Sequence, residues 1–330
     1  MNPSFPTFRC SLRLVTPAIV SGFDQTQAEI HWASIRGSVR RFHRLIDAGH
    51  QREDAVFGGT TAHAGQSLWL LKPSAAVAPA ATNAAGLGPQ YFTWSLAKQK
   101  RGYLQPHPDG GTPITFDLLF RPGATAEDRQ RVRDAFWLWS ILGGLGARTR
   151  RGFGAVELEM HGGSGDPDIA ALPRNLDPWL TAIAAELNAM GDRYQVRWPF
   201  RWLVGPEHRE WNKALGEAAA QMQEYRRPPR NRPQGSVAPE ASRFGLPLSV
   251  GAGTFIGEKH SRSASSVWVR VARLDRGYRA YVVHMPMPLL PPGEKVSGSG
   301  QQWAVPGDHV VQEFMEGMAA RPNWREVHWS

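Results

Sequence analysis

The sequence predicts an α+β fold made of two tandem ferredoxin-like domains, each with the element order β-α-β-β-α-β. Segments that alternate polar and apolar residues and segments with helical apolar spacing follow one another in this order in the first half, and a second such run follows. The 330 residues, 42% of them hydrophobic, suffice for two separate cores. We therefore predict an N-terminal domain over residues 1–162 and a C-terminal domain over residues 163–330.

The N-terminal domain is predicted to begin with a strand over residues 8–15, where polar and apolar residues alternate. Ser34 then offers an N-cap to a helix over residues 34–47, which carries apolar side chains on one face and arginines on another. The other strands of this domain are predicted over residues 67–71, 114–120 and 155–160.

The second helix of this domain has clear start and stop signals. Thr125 and Asp128 have the spacing of a capping box, and Gly143 with Gly144 is predicted to end the helix. Residues 73–89 are rich in Ala, Pro and Gly, which is typical of a surface insertion between strands.

The second half repeats the alternation of strands and helices after a predicted linker over residues 161–168. Its strands are predicted over residues 195–204, 246–250, 267–271, 279–284 and 326–329, and its helices over residues 207–225 and 308–320. Residues 226–242 are rich in Pro and Arg, and we predict a mobile loop there. Phe57-Gly58 and Phe244-Gly245 each follow the first helix of their half, which indicates an internal repeat.

The charge of the chain favours a polyanionic partner. The formal net charge is +9, and Arg accounts for most of the 38 basic residues, which suits bidentate phosphate contacts and stacking on bases. The single Cys10 excludes an intrachain disulfide and a multi-cysteine metal site. With no apolar run of membrane-spanning length, we expect a soluble cytoplasmic protein with no membrane partner.

Two basic segments carry the predicted binding site. The loop over residues 143–154 holds five Gly and three Arg, and a glycine-rich loop can present backbone N–H groups to an anion. It leaves a helix and enters a strand, whereas nucleotide-binding loops follow a strand, so a P-loop is a poor match. A solvated turn after a helix is the alternative.

We expect this loop to meet the start of the first helix and to form one phosphate site with it, because the last strand of such a sheet lies beside the first. Valine at Gly144 or Gly152 is then expected to block nucleic-acid binding with the thermal midpoint nearly intact. The residues predicted to bind nucleic acid are Ser34, Arg36, Gly37, Arg40, Arg41 and Arg44 on the helix, and Gly143, Gly144, Gly146, Arg148, Arg150, Arg151 and Gly152 in the loop.

A family resemblance rests on these segments together with neighbouring motifs. The motifs are Thr16-Pro17, Gly22, Glu29, the helix pattern from Ala33 to Gly37 with Arg40 and Arg44, Phe57-Gly58, and the glycine loop. In combination they resemble the RAMP superfamily, and specifically the first-named RAMP subunit of the type III-B (Cmr) CRISPR effector complex. The resemblance covers most of residues 8–160 and continues weakly at residues 244–247 and 262–265.

The resemblance implies a subunit that binds RNA without cutting it. The expected position is near the crRNA 3′ end, and the expected partners are crRNA, target RNA and the other RAMP subunits of the Cmr complex, in antiviral defence. No catalytic residue, metal or cofactor is expected.

Two other functions stay open at this point. One is a RAMP endoribonuclease that processes crRNA, for which His43 on the basic helix is the best candidate acid or base. The other is a protein-interaction module whose charge only aids solubility. Neither His161 near Asp166 and Asp168 nor His208 near Glu210 has a known metal-ligand spacing. Trp32, Trp94 and Trp303 are candidate base-stacking residues, whereas Trp137 and Trp139 are expected in the core.

Overall fold

The computed structural model describes residues 7–47, 52–59, 65–74, 80–81, 87–93, 101–108, 110–163, 165–226, 239–246, 248–250, 253–274, 276–298 and 300–328. Contacts divide the chain into two compact units. The N-terminal unit comprises Met1–Leu87, Thr93–Trp198 and Arg273–Asp275, and the C-terminal unit comprises Gly88–Phe92, Pro199–Ala272 and Arg276–Ser330. The predicted mixture of helices with antiparallel sheets is confirmed.

The main elements of the N-terminal unit follow the predicted order. They are β1 (Thr7–Leu14), β2 (Ala18–Ile19), α1 (Trp32–Ile46), α2 (Glu53–Phe57), β3 (Trp69–Pro73), β4 (Ala80–Ala81), α3 (Gln90–Thr93, partly in the other unit), β5 (Tyr103–Leu104), β6 (Ile114–Phe120), α4 (Ala126–Leu142), β7 (Val156–His161) and α5 (Leu176–Tyr194). The large sheet has the order β3-β6-β1-β7, so the first and third long strands are central. β1 pairs antiparallel with both β6 and β7.

Aromatic side chains fill the core of this unit between the sheet and helices α1 and α4. Trp69 and Phe136 pack edge to face with ring centroids 5.6 Å apart, and Phe136 continues the contact to Trp139. Trp137 and Trp139 are both buried, as predicted. Such ring pairs contribute about 0.5–1.5 kcal/mol beyond the burial of their area.

The capping signals of the two helices have different outcomes. The capping box of α4 is confirmed: Asp128 N donates to Thr125 Oγ1 at 3.1 Å, and Thr125 N donates to Asp128 Oδ2 at 3.1 Å. The N-cap prediction for Ser34 is wrong, because α1 begins at Trp32 with His31 as its N-cap. The Trp32 ring packs on Phe116 at 5.6 Å, and this tertiary contact favours a first turn upstream of Ser34.

Helix α5 was not predicted, and it packs on the N-terminal unit. Arg193 Nη1 and Tyr194 Oη donate to Asp134 Oδ2 at 2.5 and 2.7 Å, and Arg133 pairs with Glu186. The division between the compact units consequently falls near residue 198, whereas the linker was predicted at residues 161–168. The sequence does carry signals for α5, with Asn175 as its N-cap and buried apolar residues from Trp179 to Met190 at helical spacing, and the prediction overlooked them.

The C-terminal unit has a second sheet with the same strand order. Its elements are β8 (Arg201–His208), α6 (Trp211–Arg226), a 3-10 helix (Pro239–Phe244), β9 (Leu248–Val250), β10 (Gly253–Gly257), β11 (Val267–Leu274, its last two residues in the other unit), β12 (Gly277–His284), β13 (Val296–Gly298), β14 (Gln301–Trp303), α7 (His309–Ala319) and β15 (Arg325–Val327). The order β11-β12-β8-β15 again makes the first and third long strands central. A small sheet of order β14-β13-β10-β9 was not predicted. Of the predicted mobile loop, residues 227–238 lie outside the described residues.

The Phe-Gly pairs occupy matching places in the two units. Phe57 and Phe244 are buried, and the glycines after them have φ values of 73° and 112°. Only glycine adopts such a conformation at little cost, which explains why both pairs end in glycine. Among the described helices, none has the length and apolar character needed to cross a membrane.

Candidate nucleic-acid interface

The Thr16-Pro17 motif ties the glycine loop to the end of β1. The buried Thr16 hydroxyl donates to Gly152 O at 2.7 Å and accepts from Ala155 N at 2.9 Å. Gly154 N donates to Pro17 O at 2.8 Å. A threonine is suited to this position because one hydroxyl can donate and accept at the same time. The motif therefore sets the path by which the loop enters β7.

The far side of the loop is held by β2. Ala147 N donates to Ile19 O at 2.8 Å, and Leu145 N donates to Gly154 O at 2.9 Å. At Gly146, with φ of 86°, an added Cβ would lie 2.4 Å from Ile19 O, so only glycine permits this approach. Gly144 and Gly152 also have positive φ, at 140° and 81°. Valine at either position should therefore destabilise the fold, contrary to the sequence-based expectation of a nearly intact thermal midpoint.

The structure brings the loop close to the start of the first helix, as the strand order predicted, and their joint phosphate site stays a prediction. A cavity of about 280 Å³ lies between them. Ser34, Ile35 and Ser38 of α1 line one side, and Gly144, Leu145 and Gly146 of the loop line the other. We call this space the junction cavity. The Arg101 side chain also lines it, which adds a positive charge that the sequence did not indicate.

Three arginines of the predicted RNA-binding stripe make intramolecular contacts with α2. Arg36 donates to Phe57 O, and Arg40 Nη1 donates to Gly58 O at 2.8 Å. Arg40 and Arg44 both pair with Glu53, and the Arg44 bonds measure 2.8 and 2.7 Å. A phosphate at these guanidinium groups would compete with protein acceptors. Their role in RNA binding stays a prediction, and each has a structural contact in addition.

Glu53 is the centre of this arrangement. Its side chain is 7% exposed, and the hydrogen bonds from Arg44 and then Arg40 lower the pKa of its carboxyl to about 2. The charge pattern of the sequence indicated a free basic face because it could not show that α2 folds back onto it. We call Arg40, Arg44 and Glu53 the α2 clamp.

The other predicted residues divide between open and enclosed positions. Gly37 is exposed, and a Cβ added there would meet open space within 4 Å; Ser34 and Arg41 are exposed as well. Arg148, Arg150 and Arg151 are half-buried, whereas Gly143, Gly144 and Gly152 are buried. Burial and then the nearby Arg101 lower the pKa of Arg148. The exposed start of α1 and the loop arginines together give a surface that RNA could reach.

His43, the candidate acid or base of the endoribonuclease alternative, lies in the core. Its side chain is fully buried, with its ring 5.1 Å from that of Phe57. Burial lowers the pKa of His43 to about 4, so the ring is neutral at physiological pH. Apolar residues recur on the same face of α1, and His43 follows Phe42 closely enough to share it. A buried imidazole cannot reach an RNA backbone.

Two exposed side chains between β2 and α1 were given no chemical role by the sequence reasoning. Phe23 is fully exposed in the loop between β2 and α1, and Glu29 lines the junction cavity beside His31. By contrast, two of the proposed stacking residues make intramolecular ring contacts, Trp32 with Phe116 and Trp303 with Phe255. Trp94 lies outside the described residues. Within the described residues, no group of three or more His, Cys, Asp or Glu side chains is arranged to hold a metal ion.

Comparison with known protein families supports the class that the motifs indicated. Residues 82–157 match the model of the RAMP superfamily, a range that includes the glycine loop. The resemblance inferred from the sequence is confirmed. No curated protein matches the chain.

Solved structures then identify a particular protein with a similar fold. The chain is similar to Cmr1 from Pyrococcus furiosus in its apo crystal structure, with 15% identity and a TM-score of 0.61. That similarity covers 97% of this chain and 98% of Cmr1. It is also similar to a chain of the Type III-B Cmr-beta complex bound to cognate target RNA, with 8% identity, a TM-score of 0.53, and coverage of 94% and 98%. The whole chain therefore has a Cmr1-like fold.

Proposed function

We propose that this chain is a non-catalytic RNA-binding subunit of a type III-B CRISPR (Cmr) effector complex and acts in the cytoplasm in antiviral defence. It would bind crRNA and target RNA near the crRNA 3′ end and contact the other RAMP subunits. The observation that carries the proposal is the junction cavity, where the glycine loop meets the start of α1. The similarity to Cmr1 and to a chain of a complex bound to target RNA supports the proposed partners.

We also infer that residues 1–162 and 163–330 are two tandem ferredoxin-like domains. Each range contains one complete set of four strands and two helices, with the second, third, first and fourth strands side by side in one sheet. In this description α5 is an addition between the two sets. The glycine loop lies between the second helix and the last strand of the first set. The corresponding connection in the second set, from α7 to β15, has no glycine.

The burial of His43 favours binding over cleavage. It was the leading candidate for an acid or base in the endoribonuclease alternative, and it is enclosed by the core. A module that only binds other proteins would not need the loop, the start of α1 and Arg101 to line one cavity.

RNA binding can be tested by fluorescence anisotropy with a labelled single-stranded RNA over a range of salt concentrations. The logarithm of the affinity should fall linearly with the logarithm of salt, by about 0.7 for each phosphate contacted. Arg101→Ala should reduce this slope by about one phosphate contact. Arg321→Ala is the matched control, because it removes the same charge from a side chain of the C-terminal unit that pairs with Glu224.

Cleavage is tested with the same protein and a labelled crRNA precursor, with and without divalent metal. We expect intact RNA in both cases. Discrete cleavage products would contradict the non-catalytic assignment. A salt-independent affinity, or equal effects of the two arginine substitutions, would contradict the assignment of the binding site.

A further inference from the structure

The junction cavity combines an apolar surface with polar groups that a pure phosphate site would not need. Ile19, Ile35 and Leu145 contribute apolar surface, and Ser38 contributes a hydroxyl. Its volume of about 280 Å³ lies just below the range of about 300–1,000 Å³ that small-molecule pockets occupy. A space of this size and composition suits one flat heterocycle better than a length of sugar-phosphate backbone.

The carboxylate of Glu29 also indicates a ligand other than phosphate. It lines the cavity, its side chain is 59% exposed, and His31 Nε2 lies 3.8 Å away. A carboxylate repels a phosphate but accepts strong hydrogen bonds from N–H groups. Glu29 therefore selects for a ligand that presents donors.

Gly22 leaves room for this carboxylate. A Cβ at Gly22 would lie 1.7 Å from Glu29 Oε2 and 2.7 Å from Glu29 Cδ. The carboxylate thus rests against the Gly22 backbone, in space that any side chain would fill. Because the obstructed atoms are the end of a flexible side chain, an alanine at Gly22 would displace the carboxylate without requiring the backbone to move.

We propose that the junction cavity takes one unpaired guanine base from the bound RNA, and that the Glu29 carboxylate accepts hydrogen bonds from its N1–H and its 2-amino group. Guanine is the RNA base with two adjacent donors on its Watson–Crick edge, and these match the two oxygens of one carboxylate. The apolar walls would contact the faces of the base. This inference rests on the proposed function and adds a base preference at the same site.

The test uses the full chain and a short labelled oligouridine in which one central nucleotide is uridine, guanosine or inosine. Inosine keeps N1–H and lacks only the 2-amino group. At one fixed salt concentration, the guanosine oligomer should bind about 5-fold to about 150-fold more tightly than the uridine oligomer, the range for a good bidentate pair. Inosine should lose most of this gain.

Three variants separate recognition of the base from general charge. Glu29→Gln should abolish the guanosine preference and strengthen binding of the uridine oligomer, because one repulsive charge is lost. Gly22→Ala should abolish the preference without changing the charge. Glu127→Gln is the charge control: Glu127 is 66% exposed in the first turn of α4, at the opposite end of that helix from Gly143. It should keep the preference.

Equal binding of guanosine and inosine oligomers by the unchanged chain would overturn the guanine inference while leaving RNA binding intact. So would a guanosine preference that persists in Glu29→Gln. A chain that binds none of the oligomers would instead overturn the proposed function, and the guanine inference with it.

Discussion

Removing the charge of Glu53 is a direct test of the α2 clamp. The side chain is nearly buried and pairs with Arg40 and Arg44, so Glu53→Gln keeps its size while removing the ion pairs. α2 carries Phe57, which packs on the ring of Trp69 at 5.4 Å. Loss of the clamp should therefore loosen α2 and destabilise the N-terminal unit.

The size of the effect follows from the pKa of Glu53. That pKa is lowered from 4.5 to about 2, chiefly by the hydrogen bond from Arg44. One pKa unit corresponds to about 1.4 kcal/mol, which gives about 3 kcal/mol for the full shift. The Arg44 side chain is 51% exposed, and solvent screening of that partner reduces our expectation to about 2 kcal/mol.

The sign of the pH dependence is fixed by the direction of the shift. A carboxyl whose pKa is lower in the folded state stabilises the fold above its unfolded value and loses this contribution as the pH falls. The stability difference between the unchanged chain and Glu53→Gln should therefore be complete above about pH 4.5 and should shrink toward pH 2.

Urea unfolding followed by tryptophan fluorescence at pH 7 and pH 3 measures this difference. Glu127→Gln, which breaks an exposed i,i+4 pair with Arg131, should cost less than about 0.5 kcal/mol at either pH. A Glu53→Gln variant as stable as the unchanged chain at pH 7 would refute the clamp. A variant that binds RNA more tightly would show that Arg40 and Arg44 are available to phosphate once released.

Three further predictions concern other parts of the N-terminal unit. Thr16→Val should lower the free energy of unfolding by about 1–3 kcal/mol, seen as a lower thermal midpoint, because Gly152 O and Ala155 N lose a buried partner. Thr16→Ser keeps the hydroxyl and should keep most of this free energy. As the pH falls from 6.5 to about 4, the unfolded chain protonates His43 before the folded chain does, because burial lowers the pKa of the imidazole, and the free energy of unfolding falls. In His43→Leu, measured by urea unfolding, this part of the pH dependence should disappear. Phe23→Ala should weaken single-stranded RNA binding by about 1–3 kcal/mol with no dependence on base sequence, if the exposed ring stacks on a base.

Much of the fold could be predicted from local patterns. The capping box at Thr125, the end of α4 at Gly143 and the strand over residues 114–120 follow from side-chain chemistry at short spacing. The start of α1 could not, because the contact of Trp32 with Phe116 joins residues far apart in sequence. Of the small sheet of β9, β10, β13 and β14, only β9 was predicted, because the strands are short and belong to a separate cluster of apolar residues.

The candidate site shows the same limit of sequence reasoning. The meeting of the loop with the helix start followed from strand order, since β7 must lie beside β1. The contacts of Arg40 and Arg44 did not follow, because charge spacing on a helix cannot show which acceptor folds back onto it. Gly22 and Glu29 were noted only as motif positions, and their contact in space is what gives them a physical role.

The clamp and the cavity lie on different sides of α1, and the basic charge of the N-terminal unit is divided between them. Glu53 and Asp54 neutralise the arginines on the α2 side, so those charges stabilise the fold. On the side of α1 that faces the loop, Arg101 lines the cavity and would supply positive charge to the proposed RNA site. The carboxylate of Glu29 in the same cavity would repel the phosphate backbone of RNA and weaken its binding. A carboxylate at this position is useful to an RNA-binding site only if it selects one base. The distribution of charge in the N-terminal unit therefore favours a site that holds RNA by its backbone at the rim and recognises one base inside.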